Sequence, residues 1–259
     1  MDLPRDAEIK LRAVCSEMLQ YLNHVKVVSR LELFVKAREI LAKVELSPEE
    51  EESIGREFSL RSDQLTVISI IGETPYMMGC PFLHEETRFK NVLFYHSHTF
   101  SPDESDLESA VARLRSIRTT ETDKMISNIL SKAGYSKTSE NQGTGLRTYR
   151  KEGSGVILNC IILESVNDAA RLIDAVQEGT ILGVPTEDTP APFISIYRKY
   201  RGRVAEGKIS IIVVNIEDQR ISPFLGYPSD KDLTPLFNEP DLAVRIRSIW
   251  GEEGEEELT

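Results

Sequence analysis

Apolar residues recur at helical spacing through the amino-terminal part of the chain. The two series are Leu11, Val14, Cys15, Met18 and Leu22, and then Leu31, Phe34, Leu41 and Val44. Spacings of three and four residues place each series on one helix face, which predicts two amphipathic helices with a break at residues 24–29. A third, short helix is predicted after Ser47. Residues 1–60 are therefore expected to form an amino-terminal helical unit.

After residue 60 the apolar residues occur in short runs that are typical of strands. The run Leu65–Ile71 is rich in β-branched residues and ends at a glycine. Two further runs, Gly145–Lys151 and Val156–Glu164, are joined by a glycine-rich sequence that predicts a hairpin. The run Ile209–Ile216 is almost continuously apolar, which indicates a strand covered on both faces and central in its sheet.

Helical patterns alternate with these strands. The alternation predicts an α/β (or α+β) fold over residues 61–250, with a mixed sheet of about five or six strands and helices on its faces. Two helices are predicted after residue 100, the second one beginning at a cap formed by Thr120–Asp123. A last helix is predicted from Asp241 to Trp250, and residues 251–259 are predicted to be a disordered acidic tail.

A tetrapeptide of serine, proline, an acid and glutamate occurs twice, at Ser47–Glu50 and at Ser101–Glu104. In a capping box the serine side chain accepts from the third helical residue, whose glutamate bonds back to the serine amide. Proline is favoured at the first helical position, because an N–H there has no partner within the helix and its absence loses no hydrogen bond. Both tetrapeptides therefore predict the start of a helix.

The net charge of the 259-residue chain is −11, which disfavours non-specific attraction to nucleic acid or to anionic lipid. Cys15, Cys80 and Cys160 form no C-x-x-C pair, and the amino terminus lacks the apolar segment of a secretory leader. No run approaches the ~18 apolar residues that a membrane span requires. These features predict a cytoplasmic protein, with the nucleus as the alternative, and no membrane partner.

Two histidines at the end of an apolar run are the strongest candidates for chemistry. Val92–Tyr95 predicts a strand, and His96 and His98 follow it two residues apart. Alternate side chains of a strand point to one face, so both imidazoles are expected to face a single metal ion. Two ligands make only half of a zinc site.

The segment from His96 to Glu108 resembles the signature of the JAMM/MPN metallopeptidases, in which a His-x-His pair is followed by Ser-x-x-Asp. The resemblance implies that His96, His98 and Glu108 hold zinc. It also implies that Ser105 stabilises the oxyanion and that an upstream glutamate, for which Glu73 is the nearest candidate, is the general base. The segment departs from the signature because six residues rather than seven separate His98 from Ser105, and because a glutamate replaces the aspartate.

The shorter segment His96–Asp103 resembles the opening of the PHP phosphoesterases, in which His-x-His-Thr precedes a serine and an aspartate. That family uses several later histidines as metal ligands. No histidine follows His98 in this chain, which argues against the second resemblance.

Basic and aromatic residues are interleaved in two segments of this acidic chain. The first segment comprises Arg147, Tyr149, Arg150 and Lys151, and the second comprises Tyr197, Arg198, Lys199, Tyr200, Arg201 and Arg203. Cations that neutralise phosphate beside rings that stack on bases are typical of single-stranded nucleic-acid binding. The same pattern is typical of a surface whose basic residues pair with acidic ones, within the chain or in a homo-oligomer.

Three functions are compatible with these patterns. The leading hypothesis is an interaction or regulatory protein without catalytic machinery, which needs no cofactor and binds a protein partner or a second copy of itself. The first alternative is a zinc-dependent hydrolase of amide bonds centred on His96 and His98, in which a metal-bound water attacks. The second is an RNA- or single-stranded-DNA-binding protein that uses the two basic-aromatic segments. Whether the chain is an enzyme is left open, with the balance of motifs against it.

Overall fold

The structure, a computed structural model, describes residues 3–72, 82–141, 145–186, 191–204, 210–226, 228 and 230–237, with the backbone alone for residues 201–204. Contacts along the chain define two units, residues 1–117 and residues 118–259. The sequence placed a boundary near residue 60 instead. The segments that follow residue 60 belong to the same core as the amino-terminal helices, as described next.

In the described residues before Glu104, the first unit combines four helices with a small antiparallel sheet. Its elements are α1 (Arg5–Val25), β1 (Val27–Ser29), α2 (Arg30–Val44), α3 (Pro48–Phe58), α4 (Ser62–Ile70), β2 (His84–Phe89) and β3 (Val92–Ser97). The strand order is β1-β3-β2. The two predicted amphipathic helices and the short helix after Ser47 are confirmed as α1, α2 and α3. The break between α1 and α2 contains β1.

Helix α4 contains the segment Leu65–Ile70, so the strand predicted for Leu65–Ile71 is wrong. Nearly every side chain of α4 is buried among the other helices, including both polar residues in its second half. Thr66 Oγ1 donates to the Ser62 carbonyl at 2.8 Å, and Ser69 Oγ donates to the Leu65 carbonyl at 2.6 Å. Burial on all sides therefore overrides the strand propensity of β-branched residues.

The second unit is built on a six-stranded mixed sheet, which confirms the predicted fold class. Helix α5 (Glu104–Lys132) begins in the first unit and ends in the second. The elements that follow α5 are β4 (Tyr135–Asn141), β5 (Leu146–Lys151), β6 (Ile157–Ile162), α6 (Val166–Leu172), β7 (Ile181–Pro185), α7 (Ala191–Val204), β8 (Ser210–Asn215), β9 (Arg220–Leu225) and a 3-10 helix (Thr234–Leu236). The strands lie in chain order, with β7 parallel to β6 and β8 and all other pairs antiparallel.

Helices cover both faces of this sheet. Helices α6 and α7 pack with Ile161, Leu182 and Val213 on one face. The carboxyl-terminal half of α5 lies on the other face, where a Cβ atom added to Gly183 would be 2.2 Å from Ile126 Cδ1. The absence of a side chain at Gly183 therefore allows the close approach of α5 to β7.

Several predicted details of the second unit differ from the structure. Helix α5 is continuous, so the cap predicted at Thr120–Asp123 is wrong. Thr122 is fully buried within the helix, and Asp123 forms an ion pair with Arg147 rather than capping. Strand β8 has a neighbour on each side but lies next to the edge strand, β9. Strand β9 was not predicted because it contains Pro223, which an edge strand tolerates at a register shift.

The last helix and the acidic tail were predicted for residues 241–259, which lie outside the described residues. None of the helices in the described ranges is both long enough and apolar enough to span a membrane.

Candidate functional site

The two histidines of the predicted zinc site form hydrogen bonds to residues in or next to the β2–β3 hairpin. Strand β3 ends at Ser97, so His98 lies in the turn that follows it. His96 is buried, with Nε2 2.9 Å from Thr87 Oγ1 and Nδ1 3.2 Å from the Ser97 carbonyl. His98 is exposed, and its Nδ1 is 3.1 Å from the Leu83 carbonyl. The two rings therefore occupy different environments.

The remaining members of the predicted site lie on α5 or outside the described residues. Glu108 is exposed and forms an ion pair with Lys90, at the tip of the β2–β3 hairpin. The Ser105 carbonyl accepts a bond from Ser109 Oγ at 2.8 Å. Glu73 lies outside the described residues. Within the described ranges no three His, Cys, Asp or Glu side chains are grouped to hold a metal, and the zinc site stays a prediction.

The first basic-aromatic segment lies on β5, and its cations Arg147 and Lys151 are neutralised within the chain. Arg147 is 9% exposed, with Nε 3.0 Å from Asp123 Oδ1 and a terminal nitrogen 3.2 Å from Glu140 Oε1. Lys151 Nζ lies 2.6 Å from Asp230 Oδ2 and also contacts Asp232. These two cations serve the packing of the second unit.

The one aromatic ring of this segment, Tyr149, also makes an internal contact. Tyr149 is buried, and its hydroxyl is 2.8 Å from Ser127 Oγ on α5. Arg150, on the opposite face of the strand, is the exposed member of the segment.

Tyr135 adds a hydrogen bond to the ion pair of Lys151 and Asp230. Its hydroxyl donates to Asp230 Oδ2 at 2.6 Å. The bonds from Lys151 and then from Tyr135 lower the pKa of Asp230 to about 2. Burial, and then the bond to the Asp230 carboxylate, raises the pKa of Tyr135 to about 12. The three groups fix the residues that follow β9 to the β4–β5 hairpin.

The second basic-aromatic segment lies on α7, and its rings belong to the core. Tyr197 packs against Phe224 with ring centroids 6.4 Å apart. Tyr200 is buried, its hydroxyl donates to the Ala170 carbonyl at 3.3 Å, and Lys199 Nζ lies 4.9 Å from its ring centroid. Arg198 is exposed. The side chains of Arg201 and Arg203 lie outside the described part of the chain.

Buried cysteine offers no nucleophile in the second unit. Cys160 is fully buried on β6, and burial raises the pKa of its thiol to about 12. A thiol with so high a pKa carries almost no thiolate at neutral pH.

A patch of the six-stranded sheet was not predicted as a site, although among the described residues of the second unit it lies at the two most exposed large apolar side chains. Ser136, Arg150 and Ile157 are directly paired across β4, β5 and β6, so their side chains share one face. Ile157 is 66% exposed, and the neighbouring Val156 is 47% exposed. We call Ser136, Thr148, Arg150, Ile157 and Asn159 the open sheet patch. Helices α6 and α7 cover the same face further along, at Ile161.

Comparison with known proteins gives one family match, in the carboxyl-terminal part of the chain. Residues 115–239 match the C-terminal domain of DUF6834, a domain of unknown function. The match covers under half of the chain and contains the whole six-stranded sheet, including the open sheet patch. No curated protein matches this chain.

Proposed function

We propose that this protein is an interaction module that binds a protein partner through the open sheet patch. The observation that carries the proposal is the 66% exposure of Ile157 on a sheet face that helices cover elsewhere. A large apolar side chain on a strand is stabilised when a second surface covers it. Binding of a partner surface over the patch is therefore favourable.

The surroundings of Ile157 resemble the composition of an interface. An apolar centre with a polar rim is the usual arrangement, and arginine is enriched at such surfaces. Arg150 is paired with Ile157 across the strands, and Asn159 follows two residues along β6. Asn159 is held by Thr148 at 3.3 Å and by Gln177 at 3.3 Å, so this part of the rim is ordered before a partner arrives.

The alternatives receive less support from the described residues. A zinc hydrolase needs His96 and His98 to converge on one ion, whereas each ring is bonded to a different group of the hairpin. Binding of RNA or single-stranded DNA through β5 needs free cations, whereas Arg147 and Lys151 are paired with carboxylates. Cys15 and Cys160 are buried and form no disulfide, which suits a reducing compartment, so we propose that the interaction takes place in the cytoplasm or nucleus.

The experiment compares proteins that copurify with the tagged chain and with two variants. Ile157→Lys introduces a charge at the centre of the patch, and Ile9→Lys introduces the same charge at a 57% exposed isoleucine of the first unit. Both sites are exposed enough to accept lysine without unfolding. The proposal expects a partner that the wild type and Ile9→Lys retain and that Ile157→Lys loses. The same set of proteins on all three would contradict it.

A further inference from the structure

Four strands lie at the edges of the two sheets in the described part of the chain, and three of them are poorly suited to pairing with another strand. Strand β1 has only three residues. The pairing of β4 shifts between Lys137 and Ser139, and the pairing of β9 shifts beside Pro223. Short strands, bulges and prolines are the usual features that prevent association of sheet edges.

Strand β2 is the exception among these edges. Its six residues pair with β3 without a register shift, and none of them is proline. Glu85, Glu86 and Arg88 are exposed on it, and Leu83, immediately before the strand, is 66% exposed. Within the described residues, β2 therefore has a regular and accessible outer edge.

The hairpin turn indicates which backbone groups of β2 face outward. Residues 90 and 91 form a two-residue turn with positive φ angles of 48° and 64°. The residues that flank such a turn, here Phe89 and its partner on β3, exchange both backbone hydrogen bonds. Hydrogen-bonded pairs alternate along antiparallel strands, so Glu86 and Arg88 direct their N–H and C=O groups away from β3. The Leu83 carbonyl accepts a bond at 3.1 Å from the turn after β3, which fits the same alternation.

The side chains of Glu86 and Arg88 share one face of β2, because residues two apart on a strand point to the same side. Neither has an ion-pair partner in the part of the chain that the structure describes. By contrast, Lys90 at the tip of the same hairpin is paired with Glu108. One face of β2 therefore offers a carboxylate and a guanidinium to another chain.

The sequence of β2 is complementary to itself in reverse. Opposite residues of antiparallel strands lie on the same face, so a twofold axis between two copies of β2 passes beside one residue of each copy. An axis at Glu85, Glu86 or Arg88 would place that charged residue opposite its own copy. An axis at either end of the strand would pair fewer residues. An axis at Thr87 places Glu86 opposite Arg88 of the second copy, and this ion pair occurs twice.

We propose that two copies of this chain pair antiparallel along β2, with the twofold axis at Thr87. The two three-stranded sheets then join into one sheet of six strands. The outward backbone groups of Glu86 and Arg88 bond to those of the second copy, and the two side chains form the two ion pairs. Opposite charges that face each other across strands stabilise such a pairing, whereas like charges oppose it. The edge lies in the first unit and the open sheet patch in the second, so this proposal is independent of the proposed function.

Sedimentation velocity of the full chain over a range of concentrations tests the proposal, because it gives the Kd of a monomer–dimer equilibrium. We expect the wild type to dimerise reversibly. Arg88→Glu replaces two pairs of opposite charges with two pairs of like charges, and Glu86→Arg does the same with the signs reversed. Each variant is expected to raise the Kd about tenfold or more.

An equimolar mixture of these two variants tests the register. Each chain of the mixed dimer carries two like charges that face two opposite charges, so association is expected to return to the wild-type level. Glu85→Arg is the matched control, because it makes the same change of charge on the other face of β2, opposite Phe89 of the second copy. It should change the Kd less than about threefold, as is usual for an exposed charge that no opposite charge faces.

A wild type that stays monomeric at every concentration would overturn the proposal. A mixture of the two variants that stays monomeric, or a Glu85→Arg variant that weakens the dimer as much as Arg88→Glu, would also overturn it. A dimer that Ile157→Lys abolishes and Arg88→Glu leaves intact would assign the contact to the open sheet patch instead.

Discussion

At the scale of single residues, the packing of α5 on the sheet depends on a missing side chain. A Cβ atom at position 183 would lie 2.2 Å from Ile126 Cδ1 and 2.9 Å from Ile162 Cδ1, both buried. Gly183→Ala is expected to lower the free energy of unfolding by about 1–3 kcal/mol, because two core side chains must leave their positions. Denaturant unfolding of the full chain measures this change.

Gly55→Ala provides the matched control for that variant. Gly55 lies within α3 and has no heavy atom within 4 Å of its added Cβ, so alanine there should stabilise the helix by up to about 1 kcal/mol. Equal effects of the two substitutions would contradict the account of Gly183.

The bonded group of Asp230, Lys151 and Tyr135 predicts a dependence of stability on pH. The pKa of Asp230 is about 2 in the folded chain, against an ordinary value of 3.8, so its contribution is complete above the ordinary pKa. It is lost as the pH falls from 3.8 to about 2, because the unfolded chain then binds the proton first. Urea unfolding of the wild type and of Asp230→Asn should show a difference in stability that shrinks over this interval. A difference that stays constant would show that Asp230 has an ordinary pKa.

These residue partners were beyond the reach of sequence patterns. The interleaved cations and rings of β5 were recognised, but their partners are far away along the chain, Lys151 being 79 positions from Asp230. The apolar run before His96 correctly predicted a strand that ends near the two histidines. Strand β3 ends at Ser97 because its pairing with β2 stops there, so His96 lies in the strand and His98 lies in the turn. The sequence pattern does not show where this pairing stops.

At the scale of elements, the same tetrapeptide begins one helix and not another. Ser47 and Glu50 form the predicted capping box of α3. Helix α5 begins later than predicted, at Glu104, and its first turn is held by Asp103 and Asp106, each of which accepts a bond from the other's amide. The predicted cap at Ser101 is therefore wrong, because Asp103, two residues further on, accepts from the first turn at the Asp106 amide instead.

Two serine substitutions test this difference. Ser47→Ala should lower the free energy of unfolding by about 1 kcal/mol, because an amide of α3 loses its acceptor. Ser101→Ala should change it by less than about 0.5 kcal/mol, as expected at an exposed position outside such a motif. Thermal or denaturant unfolding distinguishes them, and a larger loss at Ser101 than at Ser47 would refute the assignment of the α5 cap.

Element types were predictable where the apolar pattern had a clear period. The helices α1 and α2 and the hairpin of β5 and β6 follow this rule. The segment Leu65–Ile70 of α4 shows no clear helical period, because only Thr66 and Ser69 interrupt its apolar residues, and burial on all sides determined its structure. Strand β4 was missed because six of its seven residues are exposed, so no apolar face marks it.

At the scale of the whole molecule, the fold class followed from composition and alternation, but the division into units did not. The sequence boundary at residue 60 marked a change of apolar period, whereas the contacts place the division after residue 117, within α5. A helix of 29 residues that contributes to two units shows no break in its pattern. The match of residues 115–239 to the C-terminal domain of DUF6834 begins close to the same place.

The central claim for the whole molecule is that one exposed patch of the sheet binds a protein partner. The most direct measurement is the amount of that partner recovered with Ile157→Lys, divided by the amount recovered with Ile9→Lys, from the same cells at equal expression. A central interface residue contributes about 2 kcal/mol or more, so the account predicts a ratio below roughly one tenth. A ratio near one, with both variants folded, would contradict it.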